Sequence, residues 1–227
     1  MATLAVALDV ASLNEARVLS ERVASHADML KVGLELFVSE GPAVVAMARA
    51  LKPVFLDLKL HDIPETVDRA VARCAALGAR LVTIHAAGGP AMLERAADRA
   101  RKEGGIDVIA VTVLTSLSDD DLAKTGVSAG TKAQAIALAR LAWSCGVRYF
   151  VCSPHEARDL RGALGKDAVL VTPGIRASGG ADDQKRVATA SEAVRAGADI
   201  LVVGRPIRDA NDPSEAARSF AAEIHAG

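Results

Sequence analysis

Three charged side chains crowd one short apolar run, Val54-Phe-Leu-Asp57-Leu-Lys59-Leu-His61-Asp62-Ile-Pro64. Its composition predicts a strand from Val54 to Leu60, and on a strand residues two apart share a face. Asp57 and Lys59 then point one way, and Leu56, Leu58 and Leu60 point the other. Charges placed among apolar neighbours are costly unless they compensate one another, and two carboxylates with an ammonium between them do so. Lys59, flanked by Asp57 and Asp62, has its charged form favoured. A protonated lysine suits a proton donor and not a Schiff-base nucleophile, which needs a neutral amine. Lys31, in Lys31-Val-Gly33, adds a second cation, and Asp9 ends another apolar run. A salt bridge holding a rim together is the structural alternative. Charges gathered from three separate runs read instead as an active site.

The elements that must position these groups alternate along the whole chain. Strands are predicted at Leu4–Val10, Met29–Gly33, Val54–Leu60, Leu81–Ala86, Asp107–Leu114, Tyr149–Ser153, Val169–Gly174 and Asp199–Gly204, with helical periodicity between them. Ser12-Leu-Asn-Glu15 has the form of a capping box, followed by apolar Ala16, Leu19 and Val23. Pro64 opens a helix carrying Val67, Ala70, Val71 and Cys74 on one face, and Gly78 stands where a C-terminal glycine cap belongs. The last helix opens at Asp212-Pro213 and turns Ala217, Phe220 and Ile224 inward. Eight strand–helix units in 227 residues allow roughly 28 residues each, the low end for a closed barrel. A doubly wound sheet is the main rival, but it normally places a glycine-rich turn after the first strand. Leu8-Asp9-Val10-Ala11 stands there instead, and no composition break marks a linker. The expectation is an α/β fold, a single (β/α)8 TIM barrel spanning residues 1–227, with its chemistry at the strand C-termini.

The seventh and eighth strands lead into Thr172-Pro-Gly174-Ile-Arg176 and Val203-Gly204-Arg205-Pro206. Those two loops commonly form the phosphate site of such barrels. Gly204 permits close backbone approach, Pro206 can open a short helix whose N-terminus attracts anions, and Arg205 or Arg176 can donate in pairs to phosphate oxygens. The small-residue stretch from Ile175 to Gln184, with Gly179-Gly180, reads as a mobile loop able to close on a phosphate and carry Gln184 with it.

These residues resemble the orotidine 5′-phosphate decarboxylase family. DLKLHDIPETV resembles that family's DxKxxD signature, and ALDV, KVG, HAAGG, VTVLTS, VTPGIR and VVGRPI follow in the family's order from Leu4 to Pro213. The resemblance implies a (β/α)8 barrel that converts orotidine 5′-phosphate to uridine 5′-phosphate and CO2 without metal or organic cofactor, the last step of UMP synthesis. It implies Lys59 as proton donor to C6 of the pyrimidine, flanked by Asp57 and Lys31. Asp62 resembles the aspartate that the family contributes across a homodimer interface, with Ile63 and Thr66 crossing beside it. Asp9 and Lys31 resemble ribose contacts and Thr115 a pyrimidine contact; Arg176, Gln184, Gly204 and Arg205 resemble the phosphate grip. Glu65 departs from the asparagine more usual before Thr66. Magnesium-dependent decarboxylases and aldolases of sugar phosphates also carry DxKxxD, but resemble one another in a metal-binding glutamate where this chain has Lys31. An ammonium there would repel a divalent cation, and Glu35 falls after the strand has ended. A silent scaffold that retains only a phosphate grip would have no need of Asp57 and Lys59.

Composition narrows the function further. Hydrophobic residues are 51% of the chain, enough for a large core, and Lys plus Arg total 27 against 28 for Asp plus Glu. That balance, with aromatics at 3%, excludes the basic patches and stacking platforms of nucleic-acid binding. Cys74, Cys145 and Cys152 lack metal or disulfide spacing and read as small buried thiols. The longest run without a charged side chain, Leu81 to Leu93, is too short to span a bilayer. No basic region precedes Asp9, so no signal peptide is read and a reducing cytoplasmic setting is expected. His61 and His85 lack metal spacing. Trp143 reads as packing, and Asp119-Asp120-Asp121 as a solvated helix start.

Overall fold

The apolar runs become strands whose residues alternate between an inner and an outer core. The computed structural model describes residues 2–176 and 188–226. Strands β1 (Thr3–Ala7), β2 (Met29–Gly33), β3 (Val54–Leu60), β4 (Leu81–His85), β5 (Asp107–Val111), β6 (Tyr149–Val151) and β7 (Val169–Thr172) all join one parallel sheet. Two short strands, β8 (Ile175–Arg176) and β9 (Ala188–Thr189), pair with each other, and β10 (Ile200–Val203) returns to the main sheet. The sheet closes in the order β1-β10-β7-β6-β5-β4-β3-β2. This is the (β/α)8 barrel expected from the sequence.

Helices α1 (Leu13–Val23), α2 (Leu34–Glu40), α3 (Pro42–Arg49), α4 (Pro64–Ala76), α5 (Pro90–Glu103), α6 (Asp119–Lys124), α7 (Gly130–Ser144), α8 (Pro154–Leu164), α9 (Ala190–Arg195), α10 (Arg205–Arg208) and α11 (Pro213–Ala226) connect and surround the strands. None among the described residues is long and apolar enough to cross a membrane.

Ala5, Ala7, Phe55, Leu81, Ile109, Val171, Ile200 and Val202 pack inside the barrel. Their strand neighbours Leu4, Val6, Leu56, Val82, Leu170 and Leu201 face the helices. Period-two alternation thus sorts each strand between the two cores. The predicted bounds of β2 and β3 match the observed ones, whereas the other six ran past one or both strand ends. The C-terminal excess falls at the mouth: beyond Ala7, for instance, the Leu8 amide still donates to the Lys31 carbonyl at 2.9 Å. The chain then leaves the ladder to reach α1, whose cap is Ser12 Oγ accepting from the Glu15 amide. The Glu15 carboxylate reaches one residue further back than a capping box requires, to the Ala11 amide. As expected, Val67, Val71 and Cys74 of α4 are buried, Ala70 is half-buried, and Gly78 ends the helix at φ +82°. All three cysteines are free and buried.

At the barrel base, Arg161 of α8 ties the seventh and eighth units together. Its guanidinium donates to the carbonyls of Ala168 at 2.6 Å and Gly197 at 2.7 Å, and pairs with Asp199 at 2.6 Å. The same Asp199 oxygen accepts the Leu170 amide at 2.7 Å. Arg161→Met should therefore lower unfolding free energy by about 1.5–3 kcal/mol, the range for hydrogen bonds to charged groups. Urea denaturation reads the change, and an unchanged midpoint would show that water replaces the guanidinium at no cost.

Candidate active site

Charge compensation organises the barrel mouth. The Lys31 ammonium lies 2.8 Å from Asp9 Oδ1 and 3.8 Å from Asp57 Oδ2. Lys59 Nζ donates to both oxygens of Asp57, at 2.9 and 2.8 Å. The result is an alternating row, Asp9–Lys31–Asp57–Lys59, drawn from β1, β2 and β3. Burial is graded along it: the side chains of Lys31 and Asp57 retain 9% and 15% of their exposure, against 47% for Asp9 and 38% for Lys59. Burial pushes the Asp57 carboxyl upward. The charges of Lys31 and Lys59 and hydrogen bonds from Lys59 and Thr83 outweigh that cost, and hold it below the ordinary carboxylate range. Gly33 makes space for the row, since a Cβ there would stand 2.9 Å from Asp9 Oδ1 and 3.3 Å from Lys31 Nζ.

Simple alternation along β3 does not account for how Asp57 and Lys59 meet. Leu56 pairs with Val82 and Leu60 with Ile84, so β3 holds two more residues than β4 over this interval. The surplus is absorbed in a bulge. Lys59 adopts φ +50°, the only non-glycine residue with positive φ among those described. Such a conformation costs an L-residue of this kind about 1–3 kcal/mol and concentrates at functional sites. Thr83 of β4 stands inside the interval. Its Oγ accepts the Lys59 amide at 2.7 Å and donates to Asp57 Oδ1 at 2.9 Å.

A cavity of about 280 Å³ opens over this row. Asp9, Lys31, Asp57 and Lys59 form one wall, and Gly174, Arg176, Gly204 and Arg205 line it from the seventh and eighth units. Thr115, Val113 and Leu114 line it after β5. The Arg208 guanidinium of α10 donates to the Asp9 carbonyl at 2.6 Å and so ties the two ends of the mouth. The cavity therefore combines an ion-paired wall with arginines from the seventh and eighth units.

The family model described as "Orotidine 5'-phosphate decarboxylase / HUMPS family" matches residues 2–220. The chain belongs to that family. It is 52% identical over 220 residues to the orotidine 5′-phosphate decarboxylase of Anaeromyxobacter sp. (strain K), covering 96% of each chain. It is 48% identical over 223 residues to that of Rhodopseudomonas palustris (strain BisB5), covering 97% of this chain and 94% of the relative. The crystal structure of orotidine 5′-phosphate decarboxylase from Lactobacillus acidophilus superposes with a TM-score of 0.89 at 33% identity, over 99% of each chain.

Of the residues singled out from the sequence, Asp9, Lys31, Asp57, Lys59, Thr115, Arg176, Gly204 and Arg205 line this cavity. Asp62, Ile63 and Thr66 do not; all three are exposed. Asp62 Oδ1 accepts the Ile63 amide at 2.6 Å and makes no ion pair with Lys59, so the predicted flanking of Lys59 by two carboxylates reduces, within one chain, to Asp57 alone. The turn between Leu60 and Pro64 carries Asp62 away from β3. Gln184, with most of the expected mobile loop, lies outside the described residues. Glu65, which had no role, pairs with Arg69 on its own helix and with Arg95 of α5.

Sequence reasoning passed over Thr83. Its signal was a hydroxyl in the apolar run Leu81-Val-Thr-Ile-His85, on the inward phase with His85. The His85 and His61 rings lie 5.3 Å apart. Burial, then His61 and Lys59, hold the His85 imidazole below its ordinary range, so it is neutral at pH 7.

Because Asp57 ionises more readily folded than unfolded, its stabilisation is complete above the unfolded value of 3.8. It is lost as pH falls through the lower folded value. Lys31→Met removes one of the two cations and should move the Asp57 titration upward, read by carboxylate carbon NMR. An unmoved titration would assign the whole effect to Lys59 and Thr83.

Proposed function

We propose that the protein is an orotidine 5′-phosphate decarboxylase, converting orotidine 5′-phosphate to uridine 5′-phosphate and CO2 in the last step of UMP synthesis. The observation that carries this reading is the Lys59 ammonium, held by both oxygens of Asp57 at the wall of the cavity, in a chain half identical to relatives of that name. Decarboxylation breaks the bond between C6 and the carboxylate and leaves the electron pair on C6. A charge already in place stabilises that pair without reorganisation. Lys59 supplies the charge and then its proton, which forms the new C6–H bond. Asp57 orients the ammonium and, as a carboxylate beside the departing one, disfavours the ground state. Lys31 keeps Asp57 ionised.

In the same reading, Asp9 and Lys31 hold the ribose and Thr115 the pyrimidine, while Arg176, Gly204, Arg205 and Gln184 grip the phosphate. Binding energy gained at the phosphate, remote from C6, is then available to the chemical step. No cofactor is required. The Lys31 ammonium stands between two carboxylates where a divalent cation would need those oxygens free. The 1–227 chain acts as one barrel domain in the cytoplasm, working on a small molecule and on neither nucleic acid nor membrane.

It acts as a homodimer with shared sites. Leu34, Val38 and Ile63 expose 54%, 76% and 66% of their surface on the β2 and β3 side of the mouth, an apolar rim beside Asp62. Asp62, Ile63 and Thr66, absent from their own cavity wall, cross to the partner's site.

Purified protein should consume the ultraviolet absorbance of orotidine 5′-phosphate equally with and without EDTA, and Lys59→Ala should lose at least about 10³-fold in kcat. No turnover by the parent protein would turn attention to ketose phosphates with magnesium. Mixing Lys59→Ala with Asp62→Ala should restore activity, because the hybrid dimer rebuilds one complete site. Silence despite verified hybrids would remove the shared site.

A further inference from the structure

We infer that Thr83 is a positioning residue of the reaction, whose hydroxyl holds the Lys59 backbone in its bulged conformation and aims Asp57 at the Lys59 ammonium. The inference rests on the decarboxylase reading for its kinetic consequence, and on geometry alone for its structural one.

Opposite the bulge, β4 offers only Thr83 between Val82 and Ile84, while β3 has Asp57, Leu58 and Lys59 between Leu56 and Leu60. An ordinary ladder cannot pair that surplus, and a buried amide without a partner is costly. The Thr83 hydroxyl takes the place of a ladder carbonyl for the Lys59 amide, at 2.7 Å. Having accepted there, it has one proton to give, and the acceptor is Asp57 Oδ1 at 2.9 Å. The polarity amide to hydroxyl to carboxylate is therefore fixed in one direction, and each bond strengthens the next.

The consequence reaches the reacting groups. Asp57 Oδ1 is shared between Thr83 and Lys59, while Oδ2 faces Lys59 and, more distantly, Lys31. One oxygen is thus pinned by a neutral donor on a neighbouring strand, and the carboxylate cannot rotate toward Lys31 without breaking that bond. Thr83 itself is fully buried and reaches the substrate only through these two residues. Its side chain is β-branched, with a restricted χ1, so the hydroxyl is held where the bulge needs it. No other described side chain donates to Asp57 except Lys59.

Thr83→Val keeps the shape and removes the hydroxyl, whereas Thr83→Ser keeps the hydroxyl. The Val variant should lose at least about tenfold in kcat, with KM changed by less than about threefold, since the misplaced groups act on the transition state. The acid limb of its kcat profile should move to higher pH, because Asp57 loses a hydrogen bond that favours its ionised form. The Ser variant should recover most of kcat and the original profile. Independently of activity, amide hydrogen exchange at Lys59 should quicken in the Val variant and remain slow in the Ser variant. Should Thr83→Val fail to fold, Thr83→Ala takes its place in every comparison.

Unchanged kcat and pH profile in a folded Val or Ala variant would overturn the inference. So would a loss that Thr83→Ser does not rescue, which would mark a packing role. Failure of the parent protein to decarboxylate orotidine 5′-phosphate would remove the functional reading, while the exchange at Lys59 would still test the geometric claim.

Discussion

The half-buried Asp57 carboxylate, with an ammonium on each side, is the interaction on which the mouth of this barrel depends. Burial at that depth disfavours the ionised carboxylate, and the two neighbouring ammoniums more than offset it. Asp57 is thereby held ionised, and Asp9 at the solvent edge completes the row. The arrangement keeps a cation and an anion side by side at the cavity wall, the preorganisation that the proposed decarboxylation calls for.

The fold serves that row by bringing strand ends together. Parallel closure places the C-termini of β1, β2 and β3 side by side, and Gly33 leaves the gap that the Asp9–Lys31 pair fills. The same closure sets the eighth unit next to the first, where a Cβ at Gly204 would stand 3.5 Å from Asp9 Oδ2, Arg205 follows on the cavity wall and Arg208 holds the Asp9 carbonyl. Inside, below the row, Phe55, Ile109 and Val171 pack together as an apolar floor. An apolar floor lowers the local dielectric and strengthens the charge interactions above it.

Among the described residues, backbone strain falls on one non-glycine position. Lys59 adopts a left-handed conformation that its side chain disfavours, and the surplus chain of β3 is held there by a hydroxyl from β4. The strained residue is also the one that presents the ammonium. Local preference and tertiary demand thus disagree at the candidate site, where such disagreements are expected to fall.

The strands, the barrel and the charged residues of the cavity were legible because each depends on local regularities. Alternation marked β2 and β3 to the residue, Pro64 and Gly78 bounded a helix, and charges misplaced in an apolar run announced Asp57 and Lys59. The C-termini of several strands were overrun because β-type residues continue past the strand ends, into segments that line the cavity. The bulge was invisible, since its cause is a mismatch in length between two strands rather than a pattern in either. Thr83 was missed for the same reason: a threonine in a strand is unremarkable until a carboxylate and an amide from the next strand stand beside it. Asp62 read as a partner of Lys59 because they are three residues apart, yet the turn before Pro64 sends it to the surface. The sequence by itself determined which residue types are available and the periodicity that folds them into a barrel, because those follow from short-range sterics and burial. Only the tertiary structure decided which charges touch, since contact across strands depends on register, and register is a property of the closed sheet.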